Sequence, residues 1–228
     1  MTPNASGRPN RVAPDGSTHA VADRGRYWGN RGRLLNARGE VARHHLGRNW
    51  IVCVLEFHGR HRTQWTPNRL TELYFLDEPT AFAAGHRPCG ECRYHDYQRF
   101  TRAWALAHPD DPRGAREIDR RLHADRIDVD GVHRTFSADL AELPDGVMIA
   151  YDDGFWLVLG AHVHRWSMAG YDASRPRSEL PDVVIVLTPR ATVATLRAGY
   201  DPDVHPSASD PSRTIVGGST PSSEGQVP

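Results

Sequence analysis

Two cysteines three positions apart constrain this chain more than any other feature. The segment Pro88-Cys89-Gly90-Glu91-Cys92 places two thiols on one tight turn. Pro88 stiffens the approach and Gly90 permits the bend, so both sulfurs can face one ion, as in structural zinc knuckles with Zn–S bonds of about 2.3 Å. The chain has three cysteines in 228 residues. An odd number does not make a disulfide framework and reads as a reduced, intracellular thiol site, which places the protein in the cytoplasm. A redox reading of the Cys-x-x-Cys is weaker, because the pair neither follows a βαβ pattern nor has Trp beside its first cysteine.

Charge adds a second constraint. All 28 basic residues are arginine, so Schiff-base lysine chemistry and a P-loop lysine are excluded. Net charge is zero, yet residues 1–104 hold 16 arginines against 9 acids, and residues 105–228 hold 12 against 19. Between Arg24 and Arg62 only Glu40 and Glu56 oppose nine arginines. Such a stretch can neutralise phosphates, or it can dock on the acidic half of the same molecule. No apolar run approaches the roughly 20 residues needed to cross a bilayer, and the polar start lacks a secretory apolar core.

The patterning predicts an α+β chain: an N-terminal zinc-knuckle module with short strands and helices, then a small β-rich module. Residues 1–23 lack an apolar period and are expected to be a disordered arm; residues 209–228, rich in Ser, Gly, Pro and Thr, a disordered tail. The modules are expected at 24–108 and 109–208. Strands are predicted at 49–57, 62–65 and 70–76, with a hairpin over 33–44. Asp77 is set to cap a helix over 78–84 that Gly85 ends, and helices follow at 93–107 and 112–124. The second half reads as a hairpin at 127–132, strands at 146–151 and 155–160 around Asp152-Asp153-Gly154, a third strand at 163–166, a buried strand at 181–187 and a short helix to Ala198.

A resemblance rests on one run: Ala83-Ala84-Gly85-His86-Arg87-Pro88-Cys89-Gly90-Glu91-Cys92, preceded by a strand and a short helix. It resembles the zinc-binding domain of the bacterial Ada alkyl-transfer proteins, firmly over about twenty residues and loosely over 49–104. The sequence also resembles a family of uncharacterised bacterial proteins sharing the Gly-His-Arg-Pro-Cys run. The Ada resemblance implies metal binding and a DNA-facing surface. That site uses four cysteines, one of the upstream pair taking a methyl group from a phosphotriester. Here no cysteine occupies residues 58–62, so methyl transfer is not implied. The expected ligands are Cys89, Cys92, Cys53 and His58, with His61 and His205 as other candidates for the fourth place and Cys53 alternatively a small buried hydrophobe.

The leading expectation is a zinc-stabilised protein that binds DNA or RNA, with Arg31, Arg33, Arg60, Arg62 and Arg87 on phosphates. Tyr27 and Trp28 either stack on bases or anchor the sheet. The alternative is an enzyme with a histidine-lined site between modules, built from His162, His164 and His205. The first two share a strand face. A Ser207 nucleophile is disfavoured because no Gly-x-Ser-x-Gly elbow exists.

Overall fold

A computed structural model describes residues 9–38, 40–59, 66 and 68–209. The chain is α+β, built on two six-stranded sheets. The first takes all its strands from residues 11–88: β1 (Arg11–Val12), β2 (Thr18–His19), β3 (Tyr27–Asn30), β4 (Ile51–Val54), β5 (Leu73–Phe75) and β6 (Arg87–Pro88). Their order is β2-β1-β5-β3-β4-β6, with β3 antiparallel to both neighbours and two parallel pairs, β1 with β5 and β4 with β6. Residues 11–19, expected within a disordered arm, instead close one edge of this sheet. Val12 and Ala13 are buried, and Arg11 reaches inward to the carbonyl of Met168 at 2.8 Å. Strands this short carry no readable alternation; long-range contacts order them.

α1 (Glu78–Ala83) falls between β5 and β6, and α2 (Tyr94–Ala107) and α3 (Ala115–Arg126) lie between the two sheets in sequence. Asp77 caps α1 as expected, accepting from Thr80 N at 3.0 Å and Thr80 Oγ1 at 2.7 Å. Gly85 ends it at φ +82°, and a Cβ there would lie 2.4 Å from Arg126 Cδ, so glycine serves both the turn and the passage of that arginine.

The second sheet comprises β7 (Phe136–Asp139), β8 (Met148–Tyr151), β9 (Gly154–Leu159), β10 (His162–Ser167), β11 (Gly170–Pro176) and β12 (Val183–Val186). It is antiparallel throughout, in the order β11-β10-β9-β8-β12-β7. Asp152 and Asp153 both adopt positive φ at the β8–β9 turn, which matches the twist of a two-residue hairpin. The segment 181–187 is not buried throughout: Val184 and Val186 face the core while Val183 and Ile185 are exposed. A final helix, α4 (Arg190–Arg197), packs on α2.

The sheets come from separate halves of the chain, yet one apolar cluster runs from Val12 through Phe82, Phe100 and Ile149 to Tyr200. Buried polar bonds stitch the same seam. Tyr171 Oη and the backbone N–H of His205 donate to Asp77 Oδ2 at 2.7 and 3.0 Å. Tyr200 Oη and the N–H of Asp203 donate to Glu78 at 2.9 and 2.8 Å. Burial pushes both carboxyl groups up from their ordinary range, and these donors oppose that shift. Among the described residues, no helix is long and apolar enough to cross a membrane.

Candidate metal centre

Register brings the three cysteines together. β6 runs parallel to β4 with Pro88 beside Val52, and Cys89 N donates to the Val52 carbonyl at 2.9 Å. Cys89 therefore arrives beside Cys53 at the end of that short pairing. The chain then turns through Gly90 and Glu91 and enters α2, Arg93 N bonding to the Cys89 carbonyl at 3.2 Å, which sets Cys92 on the same side. All three sulfurs lie within 4.8 Å of one another. Cys53 and Cys89 are buried and Cys92 is partly exposed.

The surroundings favour thiolate at Cys89. Glu91 N donates to Cys89 Sγ at 3.4 Å, and the N–H of Cys92 also points to that sulfur. The Val54 N–H points to Cys92 in the same way, but Cys89 and burial leave that thiol above its ordinary range. Cys53 and Cys92 hold Cys89 far below the ordinary thiol range by donating to it, and Cys89 with Cys92 pushes Cys53 far above it. Three sulfurs thus compete for protons in one small volume. A metal cation at their centre replaces those protons and relieves the competition. The donor set fits a thiophilic ion, and the cluster could hold one.

The fourth expected ligand is not part of this group. His58 lies on an exposed turn at φ +51°, its ring against Phe57 at 4.1 Å, and among the described residues only the three cysteines converge. Arg60, His61, Arg62 and the strand predicted at 62–65 lie outside the described residues.

Two of the five arginines expected on phosphates are internal. Arg87 is buried and pairs with Asp119 of α3 through Nε and Nη2 at 2.8 and 2.9 Å, while its guanidinium lies 5.2 Å from the Tyr97 ring centre. A bidentate carboxylate inside the protein outcompetes a surface contact. Arg31 is wholly buried over Trp50 and donates to the Gly16 carbonyl at 2.7 Å. Neither can meet a ligand at the surface. Arg33 is exposed, as are Arg38, Arg43 and Arg48 on the same segment. Tyr27 and Trp28 lie in β3, anchored between β4 and β5.

The histidines of the alternative site divide into two settings. His162 and His164 share one face of β10, rings 6.4 Å apart, with His164 also 6.4 Å from Tyr171. His205 has its backbone on Asp77 and its ring on Ser207 Oγ at 2.8 Å. The Ser207 hydroxyl also accepts from Tyr171 N at 2.8 Å, so the pair ties the last loop to β11. A cleft of about 440 Å³ where β3, α2 and residues 201–204 meet is lined by Tyr27, Glu78, Arg93 and Asp203 rather than by these histidines.

Sequence reasoning missed a second polar centre, around Trp50. Arg126 stacks on this tryptophan at 3.8 Å and Arg31 lies 5.1 Å from its ring centre. The rings of His44, His45, His86 and His123 surround it at 5.4–6.3 Å. The His44-His45 pair so near Trp50 was the available signal; His86 and His123 join only through the fold.

No family model, no curated protein and no solved structure matches this chain.

Proposed function

We propose that this is a zinc-stabilised nucleic-acid-binding protein in which Cys53, Cys89 and Cys92 supply the metal's thiolate ligands. The observation that carries the reading is the convergence of these sulfurs from a strand and from the entrance to a helix. Bound zinc would supply a charged cross-link that holds β4, β6 and α2 in register. Cys89 and Cys92 grip from the turn, Cys53 grips from the sheet, and the N–H groups of Glu91 and Val54 orient sulfur lone pairs.

Nucleic-acid contact is assigned to the exposed arginines Arg33, Arg38, Arg43 and Arg48, opposed within that segment only by Glu40. Their guanidinium groups are free to exchange counterions with a phosphate backbone, which the internal Arg31 and Arg87 are not. Methyl transfer is not proposed, since the site has three thiols where the resembling site has four.

Fluorescence anisotropy with labelled single- and double-stranded DNA and RNA tests this reading. Binding at low salt should weaken log-linearly as salt rises. Arg43→Ala with Arg48→Ala should make that slope shallower by about 0.7–0.9 for each phosphate no longer neutralised. Absence of binding, or binding indifferent to salt, would contradict it.

A further inference from the structure

Among the described residues, the cluster around Trp50 is a cationic centre without a counter-ion. Arg31 and Arg126 are both fully buried, on a ring that is itself 1% exposed. Arg31 donates to His44 Nε2 at 2.6 Å and to the Gly16 carbonyl. Arg126 donates to His123 Nδ1 at 2.9 Å and to the carbonyls of Gly85 and Arg48 at 2.9 and 2.8 Å. Among the described residues neither arginine forms an ion pair, and the Nε of each has no hydrogen-bond partner. The carboxylates whose charge reaches them are committed elsewhere, Asp15 to Ser17 and Asp119 to Arg87. Burying a guanidinium without an anion is costly, and stacking on one indole offsets only part of that cost.

The open side of this centre is a row of imidazoles. His45 sits between His44 and His123, with ring centres 6.2 and 5.3 Å apart, and all three rings touch Trp50. His44 is exposed; His45 and His123 are partly so, and the row therefore meets solvent while the arginines lie behind it. We infer that His44, His45 and His123, backed by Arg31 and Arg126 across Trp50, form a binding site for a phosphate-type oxyanion.

Charge argues against a metal here, because two guanidinium groups stand behind the row and repel a cation. The ring nitrogens also do not converge as the thiols do. An oxyanion satisfies both deficits. It accepts from imidazole N–H groups at the rim, and its charge offsets the arginines through the short Arg–His hydrogen bonds. Without it, burial and neighbouring arginines hold His44 and His123 down at about 4. His44 Nε2 and His123 Nδ1 stay acceptors for the two arginines, so the proton that an anion draws in goes to His45, which burial, Arg126 and Arg31 hold below its ordinary value.

Calorimetric titration of the full-length protein with sodium phosphate, against matched chloride at pH 6 and pH 8, tests the site. Saturable one-to-one binding is expected, about tenfold tighter at pH 6, with proton uptake seen as a dependence on buffer ionisation heat. His45→Ala and His123→Ala should each weaken it about tenfold, whereas Arg165→Ala, at an exposed arginine paired with Asp172 on the other sheet, should leave it unchanged. Thermal unfolding of each variant establishes that it is folded. No saturable phosphate binding at pH 6, or equal binding by a folded His45→Ala/His123→Ala protein, overturns the proposal.

Competition identifies the anion's source. Displacement of phosphate by an oligonucleotide lacking terminal phosphates assigns the site to a nucleic-acid backbone. Displacement only by a nucleoside 5′-monophosphate assigns it to a free phosphate or monoester, and either outcome upholds the oxyanion site. Phosphate binding and salt-dependent nucleic-acid binding can fail separately, so this test and that of the proposed function remain distinct.

Discussion

Residues 50–53 border two polar centres of opposite need. Cys53 points into a group of sulfurs that compete for protons and are relieved by a cation. Trp50, three residues earlier, carries guanidinium and imidazole groups that are relieved by an anion. The first gathers soft donors within 4.8 Å; the second spreads its charge over an aromatic plane and neutral histidines. Compact donors specify an ion and fix local geometry, whereas a delocalised cationic shelf tolerates an exchangeable one. Arg87 lies beside Pro88 on the way to the knuckle and shows a third solution, a buried guanidinium satisfied by Asp119 within the chain.

Metal removal should have the largest effect on this contrast. Chelation, or Cys89→Ser, is expected to lower the apparent Tm by about 10 °C or more, because binding energy at a thiolate site is folding energy. Circular dichroism melts with and without chelator measure it, and coincident curves would mean that no metal contributes to stability. Breaking the internally paired arginine should come next. Arg87→Met leaves Asp119 buried without its partner, at a cost of about 3–5 kcal/mol by urea unfolding. An effect below about 1 kcal/mol would mean that Asp119 finds another donor.

The histidines give a smaller, pH-gated effect. His44 and His123 are lowered to about 4 from the ordinary 6.5 by burial and by Arg31 or Arg126. The unfolded chain therefore takes up protons below pH 6.5 that the folded chain refuses. Their penalty is absent above that value, grows as pH falls toward 4, and levels off below it. Urea unfolding of chelator-treated protein across about pH 8 to 4 should show this slope, reduced in His123→Gln. A slope unchanged by that substitution would place the acid sensitivity elsewhere. Smallest is Arg33→Ala, exposed and outside both centres, expected to alter stability by no more than about 0.5 kcal/mol.

Local chemistry made part of this readable in advance. Asp77 before Glu78-Pro79 announces α1, and the Asp152-Asp153-Gly154 turn announces the β8–β9 hairpin, because each is decided within four residues. The Cys-x-x-Cys spacing marked the knuckle, and Cys53 was legible as a candidate partner because it is the remaining thiol. Features decided across the chain were not readable. Arg31 and Arg87 resemble any surface arginine until Trp50 and Asp119 are placed beside them. β1, β2 and β11 lack strong apolar alternation and exist because neighbouring strands complete their hydrogen bonds. The Trp50 centre joins Arg31, His44, His86 and Arg126, separations no motif spans.

The central claim is that Cys53, Cys89 and Cys92 act together on one ion. Metal analysis of purified protein beside native mass spectrometry tests it most directly. About one zinc per chain is predicted, retained on dilution and absent from Cys53→Ala as well as from Cys89→Ser. A metal-free protein, or one whose metal content is indifferent to Cys53, would contradict it.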